Sequence, residues 1–358
     1  MSEPRATLPL YLAAAYTLLV IYASLHPLTG WRDAGAPASA FLSAAWPRYW
    51  TVFDLLSNVA AYLPLGFIWV PALLPGRNKF VAALLAALLG SCLSLSLETL
   101  QNFLPTRVPS NVDLGCNALG SLLGALLGAR WGMAWLDGGR LHALRTRLVG
   151  AGGMTDAGLV LLFLWLLSQL NPEILLFGNG DLRSLLSLLE LSSPVPYTAQ
   201  QFSGIEAAVV ASNTLAVALL AGCLLRSQRL ALTAGLLLLA LLVKSLSQMV
   251  LMDSVAAWSW LTPGNLTGLG IGCALWLAAA WLPRVARQSL AALSLLVATA
   301  LVNLAPENPY FSAILQVWQQ GHFLNFNGLT RLTSALWPFL ALPWLVSLRQ
   351  RARHNDPR

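Results

Sequence analysis

The 358-residue chain predicts an all-α, polytopic integral membrane protein of about ten transmembrane helices, arranged as four plus four plus two in parallel repeats. Three observations carry that expectation. The composition is 57% hydrophobic and only 10% charged, with a mean hydropathy of +0.67, whereas soluble domains carry about a quarter charged residues. Apolar runs of roughly 20 residues, the length that crosses a ~30 Å hydrocarbon core, recur along the sequence. Lys and Arg alternate between rich and poor connecting segments, as they do when cationic loops are retained in the cytoplasm.

The runs fall at 9–27, 54–74, 79–103, 112–135, 156–176, 205–225, 230–252, 264–283, 288–304 and 333–348. The first follows Arg5 and reads as an uncleaved signal-anchor, because the nine spans after it need no cleavage. With the amino terminus inside, the inner segments collect fifteen cations, from Arg5, Arg77 and Lys79 to the Arg349–Arg358 tail. The outer segments hold five: Arg32, Arg48, Arg107, Arg183 and Arg331. Both termini are therefore expected in the cytoplasm of a bacterial cell, with the chain multi-pass in the cytoplasmic membrane. The net charge of +7 is a topology signal and gives no reason to invoke nucleic acid. The basic tail suits anionic lipid heads instead.

Punctuation recurs at three span ends: "SLHP" closes the first, "SQLNP" the fifth and "NLAPENP" the ninth. Each is followed by a semi-apolar outer stretch ("AFLSAAW", "LRSLLSLLEL", "FSAILQVW") that reads as an interfacial helix. The next spans echo one another, "FDLLSNVAAYLPLGF" from Phe53 against "FNGLTRLTSALWPFLA" from Phe326. These repeats divide the chain into a four-helix domain at 1–136, a basic cytoplasmic loop at 137–155, a degenerate four-helix repeat at 156–284, a two-helix partial repeat at 285–348 and a tail at 349–358. The four cysteines fall inside spans without metal-ligand spacing, and the four histidines form no HExxH. No metal site and no cofactor is expected.

Polar chemistry concentrates at one place. In the third span Ser91, Ser94, Glu98 and Gln101 are spaced three, four and three apart, so they share a helical face. Glu98 lies near the outer end, where a charge needs a partner, water or a proton. Arg107, bracketed by Pro105 and Pro109, is the nearest partner. The fourth span opens at Ser110, a helix cap, followed by Asp113, Asn117, Gly120, Gly124 and Gly128 on one face. Small residues at that spacing allow close helix approach. Asp54 and Asn58 stand one turn apart at the outer end of the second span. The cluster expected to bind a ligand is therefore Asp54, Asn58, Glu98, Gln101, Arg107, Asp113 and Asn117, set against the alternative that these groups only cap and pair helices. Lys244 is a lone cation within the seventh span, expected to face an acid (Glu98, Glu206 or Asp253) or a lipid phosphate.

At these residues the chain resembles the VanZ-like family of membrane proteins, named for a glycopeptide-resistance accessory protein that lowers susceptibility to teicoplanin. The resemblance rests on "DLLSNVAAYLPLGF" from Asp54 and "ETLQNFLPTRVPSNVDLGCNALGSLLG" from Glu98, and covers about 9–135. It implies functional roles for Asn58, Glu98, Gln101, Arg107, Asp113 and Asn117, and an action at the outer membrane face on glycopeptide binding. The partners expected are membrane lipids: an envelope lipid-linked glycan, or a phospholipid head group that Arg107 would meet through its guanidinium fork. A transporter or lipid flippase using buried Glu98 and Lys244 is the alternative. An enzyme ranks third, since Glu98 and Asp113 form an acid/base pair without an activated nucleophile beside them.

Overall fold

A computed structural model describes residues 8–33, 35, 37–46, 50–132, 140–183, 198–226, 229–251, 258–306 and 324–354. Among these the secondary structure is helical, with no strand. The helices are α1 (Leu8–Leu25), α2 (Ala40–Ser43), α3 (Val52–Leu73), α4 (Lys79–Gln101), α5 (Asn111–Leu127, continued by a π-helical turn over Gly128–Gly132), α6 (Arg140–Leu148), α7 (Gly153–Ser168), α8 (Ala199–Leu224), α9 (Arg229–Leu251), α10 (Pro263–Ala279), α11 (Arg284–Leu304) and α12 (Leu324–His354). They fall into two compact units, Met1–Arg147 with Ala151–Asp156, and Leu148–Gly150 with Ala157–Arg358.

The expected ten spans are not reproduced. Among the described residues eight helices are long and apolar enough to cross a membrane, or up to nine if α6 and α7 count as one bent span. The fifth run, expected to reach residue 176, stops at Ser168. There the Gln169 amide donates to Trp165 O at 3.2 Å, and Asn171 Oδ1 accepts from Glu173 N at 2.7 Å, so side chains take over backbone partners and Pro172 follows. The eighth run is cut to the 17 residues of α10 by the turn leading to Pro283. At 1.5 Å per residue that is about 26 Å, short of the hydrocarbon thickness. The basic stretch at 137–155 is not a plain loop, since it contains α6, whose Arg145 pairs with Asp156. Of the three interfacial stretches, the first forms only the short α2. "FSAILQVW", and "LRSLLSLLEL" beyond Arg183, lie outside the described residues, as does Asp253.

In unit 1, α3 and α5 share the most extensive contact, and glycine makes it possible. A Cβ on Gly124 would stand 2.0 Å from Leu63 O, one on Gly66 2.1 Å from Ser121 O, and one on Gly120 2.4 Å from Val59 O. The two backbones therefore touch along a small-residue seam. A layer of Val20, Leu25, Tyr62, Leu65, Leu97 and Leu104 packs beneath the polar end, while Leu84, Leu88, Leu119 and Leu126 point outward, as lipid-facing residues do.

Unit 2 is built around α8, which is 83% buried over its span against 28–44% for the other seven. Its partners are α10 and α11. Gly268 and Gly272 lie against the carbonyls of Ala207 and Ala211, where a Cβ would come within 2.5 and 2.9 Å. The close-approach device of the α3–α5 seam thus recurs on α8 and α10.

Candidate functional site

The polar end of unit 1 is assembled by helix ends whose backbone groups need partners. Thr51 and Asp54 form a reciprocal capping box that opens α3: Thr51 Oγ1 accepts from Asp54 N at 3.1 Å, and Asp54 Oδ2 accepts from Thr51 N at 3.0 Å. Ser110 caps α5, its Oγ accepting from Val112 N at 3.2 Å and Asp113 N at 3.3 Å. The reciprocal half of that cap comes from another helix, for Ser110 N donates to Glu98 Oε2 of α4 at 2.9 Å. Glu98 is 4% exposed and thereby becomes an N-terminal carboxylate for α5, where the helix dipole favours negative charge.

Because Glu98 fills this position, Asp113 is released from capping and accepts from Asn58 Nδ2 of α3 at 2.7 Å. One turn deeper, Asn117 donates from Nδ2 to Ser94 Oγ of α4 at 2.9 Å, while its own Oδ1 is buried with no partner among the described residues. Gln101 Nε2 donates to Ser24 O of α1 at 3.1 Å. Arg107 reaches the same helix, donating from Nη2 to His26 O at 2.6 Å and Ala23 O at 3.3 Å, and from Nε to His26 O at 3.1 Å. The expected Glu98–Arg107 contact is thus replaced: the carboxylate binds a backbone N–H and the guanidinium binds carbonyls, and the two charges act on each other through space. Burial pulls the Arg107 guanidinium below its ordinary value, and the Glu98 charge pushes it back up.

All seven expected residues therefore stand at one end of one unit, and Asn58, Glu98, Gln101, Arg107, Asp113 and Asn117 make hydrogen bonds that join two elements. Glu98 and Asn117 are buried there, whereas Asp54, Asn58, Gln101, Arg107 and Asp113 retain partial exposure. The carboxylates are linked electrostatically in series, Asp54 acting on Asp113 and Asp113 on Glu98. What such an arrangement offers a ligand is a partly exposed carboxylate, Asp113, with its partly exposed donor Asn58, and Arg107 at the same end of the unit.

Lys244 is 1% exposed and belongs to unit 2. Its Nζ donates to Asn171 O at 2.6 Å and Ile174 O at 2.8 Å, in the turn after α7. Among the described residues its hydrogen-bond acceptors are thus main-chain carbonyls, with Glu173 the charged neighbour, while Asp253, one of the acids expected from the sequence, lies outside them. Glu206 accepts from Thr262 Oγ1, the cap of α10, at 2.6 Å. Both residues line a cavity of about 570 Å³ that Asp181, Arg183 and Arg331 share. Asp181 and Arg183 form an ion pair at 2.6 Å. Burial raises the Asp181 carboxyl, but the Arg183 hydrogen bonds and charge, helped by Arg331, outweigh it and hold it below the ordinary carboxylate value.

A rule the sequence did not disclose links these contacts. After α1, after α7 and after α11, a cation donates to main-chain carbonyls at the helix end or in the turn that follows it: Arg107 to Ala23 and His26, Lys244 to Asn171 and Ile174, and Arg183 to Ala305 at 3.3 Å. These are the three places where the sequence carries its recurring Pro punctuation. Asn303 was also missed; it braces the third of them, donating to Gly180 O at 2.7 Å and accepting from Leu182 N at 2.8 Å.

Fold and site together define a multi-pass α-helical membrane protein whose first unit ends in a polar cluster braced across helices. Residues 10–132 match the VanZ/LLP1 family. That segment contains all seven cluster residues, and the chain is VanZ-like over it. No curated protein and no solved structure matches the chain.

Proposed function

We propose that the protein acts at the outer face of the bacterial cytoplasmic membrane on an envelope lipid or glycolipid, and that this action lowers susceptibility to teicoplanin-type glycopeptides. The observation that carries the reading is the partial exposure of Asp113, Asn58 and Arg107 at one end of the family-matched unit, where a purely structural brace would be sealed. Arg107 and Asn58 donors beside a carboxylate suit a head group bearing both acceptors and hydroxyls. The amino and carboxyl termini are cytoplasmic in this reading, which rests on the Lys/Arg bias. A duplicated architecture belongs to it too, supported by the α3–α5 and α8–α10 glycine seams and by the cations seated on the ends of α1 and α7.

The flippase alternative has one observation in its favour, the burial of Lys244 beside a cavity. Its coupling step has Glu98 titrate or pair alternately with Lys244, whose hydrogen-bond acceptors among the described residues are main-chain carbonyls. The test is surface binding of fluorescent teicoplanin to a Gram-positive host expressing the protein, with Glu98→Gln, Arg107→Ala and Asp113→Asn at matched membrane abundance. Wild type lowers binding and each substitution restores it. Equal binding in every strain, with or without the protein, defeats the proposal.

A further inference from the structure

At the other end of α8, where that helix finishes and α9 begins, a cavity of about 650 Å³ lies among residues of α8, α9, α10 and α11. Arg226, Arg229 and Arg287 line it, and no Asp or Glu among the described residues does. Arg287 is 7% exposed, and its Nη1 reaches Gly222 O only at 3.5 Å. Its Nε is buried with no acceptor among the described residues. Thr233, 1% exposed and also lining the cavity, has a hydroxyl without a partner among the described residues. Arg229 and Arg284 act on Arg287 as like charges.

Such a group of cations is self-repelling, and a buried guanidinium with one long hydrogen bond and an unsatisfied Nε–H is costly. Water would satisfy the donors but leave the charge. A tetrahedral oxyanion answers both needs, because its several oxygens accept from guanidinium forks and a hydroxyl together. The first turns of α9 and α11 begin beside this wall and add the positive ends of two helix dipoles. Trp276 and the 84% exposed Trp281 complete the lining with apolar surface. We propose that this cavity binds the phosphate of an anionic head group, held by Arg287 and Thr233 inside and by Arg226 and Arg229 at the rim. The site lies in unit 2, outside the VanZ/LLP1 segment, and is independent of the outer-face reading.

The full-length protein in nanodiscs of phosphatidylcholine doped with phosphatidylglycerol provides the test, with retained lipid counted by native mass spectrometry. Wild type is expected to retain phosphatidylglycerol in preference to phosphatidylcholine. Arg226→Gln/Arg229→Gln, both at exposed positions, lowers that retention about tenfold, the loss expected for charge-assisted hydrogen bonds. Arg287→Gln does the same where it folds. Arg77→Gln/Lys79→Gln in unit 1 leaves retention unchanged. Added inorganic phosphate separates the sources: displacement of the lipid shows that the phosphate group alone suffices, and resistance shows that the intact lipid is the ligand. Equal retention of the two lipids by wild type, unchanged retention in the Arg226/Arg229 variant, or an equal drop in the Arg77/Lys79 variant overturns the proposal.

Discussion

Glu98 is the residue on which the polar end turns, because one carboxylate both neutralises a helix N-terminus and frees Asp113 for Asn58. Glu98→Ala leaves the buried Ser110 N–H without an acceptor, which costs about 1–3 kcal/mol. Glu98→Gln keeps an acceptor there and is expected to cost less than half as much. Thermal unfolding in detergent separates the two, and equal losses would remove the cross-helix cap from the account. In unit 2, Asp181 titrates below its ordinary value in the folded state. Its contribution is fully present above the unfolded-state value and fades as pH falls through the folded-state one. Melting followed from neutral to acid pH should therefore decline less steeply in Asp181→Asn than in wild type. A parallel decline would show that the Arg183 pairing has no bearing on acid stability.

Among the elements, the seam between α3 and α5 tolerates least. Gly124→Val places carbon where Leu63 O already stands, so the helices must separate. Overpacking of this kind costs about 1–3 kcal/mol or more. Gly115→Ala, with nothing within 4 Å of the new methyl, should be neutral. Comparable melting temperatures for the two variants would mean that the seam is looser than described. This seam was legible in the sequence because its glycines recur at helical spacing, and so was the stripe of Ser94, Glu98 and Gln101. The partners of the charges were not. Arg107 and Lys244 chose main-chain carbonyls, which every residue carries and no composition reveals, and Arg107 found His26 across 81 positions of chain. The early ends of α7 and α10 escaped notice for a related reason. Hydropathy continues past Ser168 and Ala279, while side-chain hydrogen bonds, turns and proline decide where the helices stop.

At the scale of the whole molecule, two compact units share one chain, and only the first carries the family-matched cluster. A fragment ending at Asp156 keeps the Arg145–Asp156 pair and every contact of the polar end described above. It is expected to insert and to purify as a folded species by size exclusion, and aggregation at full-length expression levels would show that unit 1 depends on unit 2. The central claim is that the polar end of unit 1 faces outward and meets the envelope there. Its most direct test is labelling of Val108→Cys, 84% exposed beside Arg107, after the four native cysteines are replaced by alanine. Reaction with a membrane-impermeant maleimide in intact cells is the predicted result. Reaction only after the membrane is opened would place the cluster on the cytoplasmic side and contradict an action on envelope lipids at the outer face.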